Sequence, residues 1–165
     1  MNLSLQAKFL WAYTIMTCYD KIKNSAKGGG NGGITMNIKR IFIGIFRSIE
    51  STGERAKDPL LKSHFYKLSK DKMMDEVSAV IKKLRGYKIV HEVPNVGEIV
   101  LEKKTSLGRV QDITITVCGI TPVSSSVDIY SASRGSLGDL GSNYRTILEV
   151  YGALDRALKA YKDSK

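Results

Sequence analysis

Four segments, 87–93, 98–104, 111–120 and 125–132, are rich in β-branched and aromatic residues, and only four to six residues separate each from the next. Their alternation of apolar and polar side chains is the pattern of strands with one buried face. A parallel crossover needs about a dozen residues or more, so gaps this short allow only antiparallel neighbours. Pro94, Asn95 and Gly97 mark the first turn. In the first segment the two-residue period puts Tyr87, Ile89, His91 and Val93 on one face and Lys88, Val90 and Glu92 on the other.

Amphipathic helices flank the strands. Over 71–86 an apolar stripe of Met74, Val77, Val80, Ile81 and Leu84 ends at Gly86. Over 143–162 a second stripe joins Ile147, Val150, Tyr151, Leu154, Leu158 and Tyr161. Helix, four strands, helix predicts an α+β domain over 71–165: an antiparallel sheet of about four strands covered on one face by helices.

A basic extension precedes it. Residues 1–70 hold 12 Lys and Arg against 4 Asp and Glu, whereas 71–165 hold 14 against 12. The uncharged run 9–19 is too short to span a bilayer, which takes about 20 apolar residues. It suits a helix packed on the domain, an extension outside the fold, or the hydrophobic part of a signal peptide, though no small-x-small cleavage site follows. Residues 28–33, GGGNGG, read as a flexible linker that closes an extension over 1–35; a phosphate loop would need a strand before it and Lys-Ser/Thr after it.

Within 36–70, Ile38, Ile41, Phe42, Ile45, Phe46 and Ile49 predict a short basic amphipathic helix. Such a helix either packs its stripe on its own domain or lies against an anionic membrane surface. A polar connection and a second short helix follow, with Asp58 as N-cap and Pro59 at its first position; His64, Phe65 and Tyr66 read as packing and surface residues.

Cys18 and Cys118 lack CxxC spacing and the histidines are isolated, so no zinc framework is present. Cys118 lies in an apolar run and reads as a buried free thiol, in keeping with a cytoplasmic, reducing compartment. No cofactor motif stands in the chain, and no Ser-His-Asp, HExxH or paired-carboxylate pattern.

The segment 131-SASRGSLGDLGSNYR-145 joins the last strand to the last helix. Gly135, Gly138 and Gly141 recur at every third position and let a backbone approach a ligand closely. Ser131, Ser133, Asn143 and the planar donors of Arg134 and Arg145 suit a phosphate or carboxylate at a helix entrance. A purely structural joint uses the same residues: Asp139 or Ser142 caps the helix, and Arg134 pairs with Asp139.

The blocks Asp128-Ile129-Tyr130-Ser131-Ala132-Ser133-Arg134-Gly135 and Gly138-Asp139-Leu140-Gly141-Ser142-Asn143-Tyr144-Arg145 resemble the C-terminal signature of domain-of-unknown-function family 1499. Members show a Ser-Ala-Ser-Arg-x-Gly-x-x-Asp-x-Gly-x-Asn-like pattern before a last helix. This chain shifts a residue between Arg134 and Asp139 and does not carry the Pro-Asn-Cys-Val-Ser segment of many members. The likeness covers roughly 70–162; it implies that the loop is a family hallmark and implies no reaction.

Three function classes follow. The first is a non-catalytic binding domain whose loop takes an anionic small molecule, with a peripheral contact between residues 36–50 and an anionic membrane kept as a separate reading. The second is an enzyme with Asp139 or His91 as general acid or base beside an arginine clamp. The third, nucleic-acid binding, rests on charge alone, and the near-neutral core without aromatic repeats speaks against it.

Overall fold

A computed structural model describes residues 49–105, 108–134 and 141–163. Six strands and two α-helices run in the order β1 (Ile49–Ser51), β2 (His64–Tyr66), α1 (Lys70–Lys83), β3 (Tyr87–Val93), β4 (Glu98–Lys104), β5 (Val110–Thr121), β6 (Ser124–Ser133) and α2 (Ser142–Ala157). All pairings are antiparallel: β3, β4, β5 and β6 form a meander, and β1 and β2 share the outer edge of β6.

The four longer strands fall where the alternation puts them, and both helices where the stripes do, except that α1 ends at Lys83 and α2 at Ala157, short of the expected 86 and 162, so that Tyr161 lies beyond the helix and is exposed. β1 and β2 make the sheet six-stranded rather than four-stranded. Each is only three residues long, too short to show a period, and each exists because β6 supplies the ladder. Asp58 does cap a turn beginning at Pro59, its Oδ1 accepting from the Leu60 N–H, but the turn is a three-residue 3-10 helix. It leads into an edge strand. The helix expected over 36–49 falls on residues outside those described, apart from Ile49, which opens β1.

The core lies between the sheet and the helices. Met73, Val77 and Ile81 of α1 and Ile147, Val150 and Leu154 of α2 pack on Ile99, Leu101, Ile113, Ile115, Val117, Val127 and Ile129, all buried. The odd-numbered residues of β4, β5 and β6 therefore face the helices, as the register requires. Gly97, between β3 and β4, has φ +87, and a Cβ there would stand 2.3 Å from the Val117 carbonyl oxygen. Only glycine passes so close in that conformation.

Two sequence expectations are corrected here. His91 does not share a face with Tyr87 and Ile89, because a register shift between Ile89 and His91 leaves Val90 as an extra, exposed residue. Such a bulge reverses the alternation beyond it. Glu92 consequently turns to the helices and accepts from Ser78 Oγ at 2.8 Å, while His91 pairs opposite Val100 on the other face and is exposed. Cys118 is buried but is disulfide-bonded rather than a free thiol, so it lends no support to a reducing compartment.

Candidate functional site

The segment joining β6 to α2 is anchored by a buried polar strip. Asn143 begins it: its Oδ1 accepts from Gln111 Nε2 at 2.7 Å, Ser131 Oγ at 2.8 Å and Ser133 Oγ at 3.3 Å. Gln111, Asn143 and Ser131 are fully buried, so each needs a partner within the protein. Gln111 Oε1 accepts from Thr146 Oγ1, and Thr146 Oγ1 accepts from Lys103 Nζ. Lys103 reaches Glu149 at 2.5 Å, and Tyr87 OH donates to the same carboxylate at 3.0 Å. Burial, helped by the Glu149 charge, pushes the Tyr87 hydroxyl far above its ordinary value, so it stays a donor.

The strip follows from helix geometry. Asn143, Thr146 and Glu149 stand at three-residue spacing on one side of α2, and they meet side chains from β6, β5, β4 and β3 in turn. Gly141 is the N-cap, with φ +74, and supplies no side-chain cap; Ser142 is the first helical residue and its Oγ accepts from Gln111 Nε2. Capping by Ser142 is thus corrected.

Arg134 closes the strand end. Its Nε and Nη2 grip Asp112 at 2.9 and 2.6 Å, and Nη2 also reaches Glu102 at 2.5 Å. Asp112 and Glu102 hold its guanidinium ionised beyond its already high pKa. Its carboxylate partners therefore come from β5 and β4 among the described residues. Arg145, in the first turn of α2, is exposed and in no ion pair among the described residues. Gly135, Gly138 and Asp139 lie outside the described residues.

A second polar cluster sits at the far end of α2, where sequence reasoning named no site. His64 stacks on Tyr151 with centroids 3.7 Å apart and planes within 6°, and its Nδ1 lies 3.1 Å from Asp155 Oδ1. Tyr66 OH donates to the same oxygen at 2.8 Å, and Lys162 Nζ to Oδ2 at 2.5 Å. Burial lowers the His64 pKa, and the Asp155 charge only partly opposes this. Burial also raises Asp155, but hydrogen bonds from Lys162 and Tyr66 outweigh it and leave the carboxyl below its usual range. His64 and Asp155 are 91 positions apart, so no local signal could have joined them. Among the described residues no group of three or more His, Cys, Asp or Glu could hold a metal ion, and no helix is long and apolar enough to cross a membrane.

A family model described as "Protein of unknown function (DUF1499)" matches residues 46–154. The match takes in all six strands, α1 and most of α2. The search of curated proteins gives no match.

Proposed function

The chain belongs to the family of proteins of unknown function DUF1499, and from that premise we propose that it is a non-catalytic binding domain whose β6–α2 loop takes an anionic group. The observation that carries this reading is a division of labour around the loop. Both ends are pinned, one by the Arg134 grip on Asp112 and Glu102 and the other by the Asn143 strip, while Arg145 stands exposed beside the exit and is in no ion pair among the described residues. A preorganised mouth loses little entropy on binding. In this assignment Ser131, Ser133, Arg134 and Asn143 position the loop, and Arg145 with the backbone of Gly135, Gly138 and Gly141 and the side chain of Asp139 meets the ligand.

Thermal unfolding of the full chain with inorganic phosphate, a nucleotide panel and soluble phospholipid headgroups tests the reading. A ligand should raise the wild-type midpoint and leave Arg145→Ala unmoved, by linkage of binding to folding. Equal shifts in both proteins, or none in either, would reject it.

The second reading, an enzyme acting on an anionic small molecule, is favoured by one observation that the sequence did not offer. A histidine held on a carboxylate through Nδ1 and kept neutral by burial has Nε2 as its basic nitrogen when Nδ1 carries the proton. His64 replaces His91 in that reading. Turnover of any phosphoryl or carboxyl ester in a substrate screen, lost in His64→Gln, would support it, and an inactive wild type would remove it.

A further inference from the structure

One end of the sheet gathers cations that the fold leaves unneutralised. There α1 stops at Lys83, β3 starts at Tyr87, β4 stops at Lys104 and α2 starts at Ser142. Tyr87 pairs with Lys103 across the ladder and both meet Glu149 of α2, so these elements adjoin. Lys82, Lys83, Arg85, Lys88, Lys104 and Arg145 stand around that point, all exposed and in no ion pair among the described residues. The carboxylates of β4, β5 and α2 at this end are taken. Arg134 holds Asp112 and also Glu102, which lies opposite Lys88 in the ladder, while Lys103 holds Glu149. The residues outside those described bring only two acidic side chains, Asp20 and Asp139, too few to neutralise six cations. Local structure accounts for part of the group only. Lys82 and Lys83 close α1, where a cation complements the helix dipole. Arg145 lies in the first turn of α2, which has no acidic residue, and there the dipole opposes a cation. Lys88 and Lys104 belong to strands, whose net dipoles are small.

We propose that this basic end docks on an anionic phospholipid surface. Like charges held together repel one another, and a partner carrying many anions relieves that repulsion. The six cations come from the ends of α1, β3, β4 and α2, and with strands about 5 Å and helices about 10 Å apart they spread over a face roughly 20 Å wide. A bilayer offers many phosphates to such a face and requires no match of shape. Nucleic acid fits it less well. Readers of a duplex insert one helix or ribbon into a groove, whereas these charges are shared among four elements. Single strands call for open aromatic rings, and the ring of Tyr87 is covered by Lys103 Nζ, 4.7 Å from its centroid. The surface is distinct from residues 36–50, and it shares only Arg145 with the loop reading, on which it does not rest.

Sedimentation of the full chain with vesicles tests it. The protein should partition at least about tenfold more strongly onto mixed phosphatidylcholine and phosphatidylserine vesicles than onto phosphatidylcholine alone. Each cation on such a surface raises partition about fivefold, so the double variant Lys83→Gln, Lys104→Gln should lose about twentyfold. Lys72→Gln, Lys159→Gln makes the same change in net charge at the other end of the domain and should lose no more than about threefold. Equal losses in the two double variants, no loss in either, or no preference for phosphatidylserine would overturn the proposal. Salt gives a measurement that needs no variant: at ~1 M, where the Debye length is about 3 Å, wild-type partition should fall at least about tenfold, and partition unmoved by salt would overturn the proposal. Binding of the wild type to single- or double-stranded oligonucleotides without binding to vesicles would overturn it too. Arg145→Ala separates this surface from the loop reading, since it should abolish the thermal shift by a soluble headgroup yet lower vesicle partition only about fivefold.

Discussion

Replacing Asn143 by alanine should destabilise this domain by several times the cost of truncating an exposed polar side chain. The substitution removes the oxygen that Gln111 Nε2, Ser131 Oγ and Ser133 Oγ share. Ser131 is fully buried and would be left without its acceptor, while Gln111 would keep a weaker 3.2 Å bond to Ser142. Ser133 is partly exposed and can turn to water. An unpaired buried donor costs about 1–3 kcal/mol, so one full and one partial loss amount to about 2–4 kcal/mol. At ~2–4 °C per kcal/mol for a chain of this size, the midpoint should fall by roughly 4–16 °C. Urea unfolding of the wild type, Asn143→Ala, Ser131→Ala and the double variant measures the effect directly. The double variant should lose less than the sum of the singles, because removing Ser131 removes the orphaned donor. A loss below about 1 kcal/mol for Asn143→Ala, or strict additivity, would refute the strip as the anchor of α2.

Other outcomes follow from the same structure. Gly97→Ala should destabilise by about 2 kcal/mol or more, since it combines a left-handed backbone with a Cβ 2.3 Å from the Val117 oxygen; equilibrium unfolding with an unchanged midpoint would contradict this. Tyr151→Phe should cost about 1–2 kcal/mol, because the hydroxyl lies 2.9 Å from the buried Val127 carbonyl and 3.0 Å from Thr52 Oγ1. Arg134→Ala should change stability by no more than about 1 kcal/mol, its side chain being 55% exposed and its ion pairs screened. Acid should weaken the His64–Asp155 cluster. Both groups have lowered folded pKa values, so the unfolded chain binds protons first and stability falls as pH drops, beginning near 6.5 for His64 and below about 3.8 for Asp155. His64→Phe should flatten the upper part of that profile, and an unaltered slope between about pH 5 and 7 would exclude His64 as its source.

How far the sequence carried depends on whether a feature is local. The strands 87–93 and 98–104 match β3 and β4 because alternation over seven residues is a strong period, and the stripe Ile147, Val150, Leu154 shows the buried side of α2 for the same reason. β1 and β2 escaped because three residues carry no period and their partners lie on β6. The bulge at Val90 escaped because an inserted residue leaves the composition of a strand unchanged while exchanging the faces of His91 and Glu92. Around the loop, the residue types were legible but their engagements were not. Arg134 finds its carboxylates on neighbouring strands, and Asn143 finds Gln111 32 positions earlier.

The arrangement of β6 also sets a timetable. Among the described residues it is the last strand, and it holds three others, β5 on one side and β1 and β2 on the other. A nascent chain therefore produces His64–Tyr66 about sixty residues before the strand that receives them at Ser125–Val127. At synthesis rates of ~5–20 residues per second, that is a wait on the order of 3–12 s. Through it the strand segments 49–51 and 64–66 have no ladder to join, and contacts so distant in sequence close slowly even once β6 is made. The amino-terminal edge of this sheet is thus the first part written and among the last to fold.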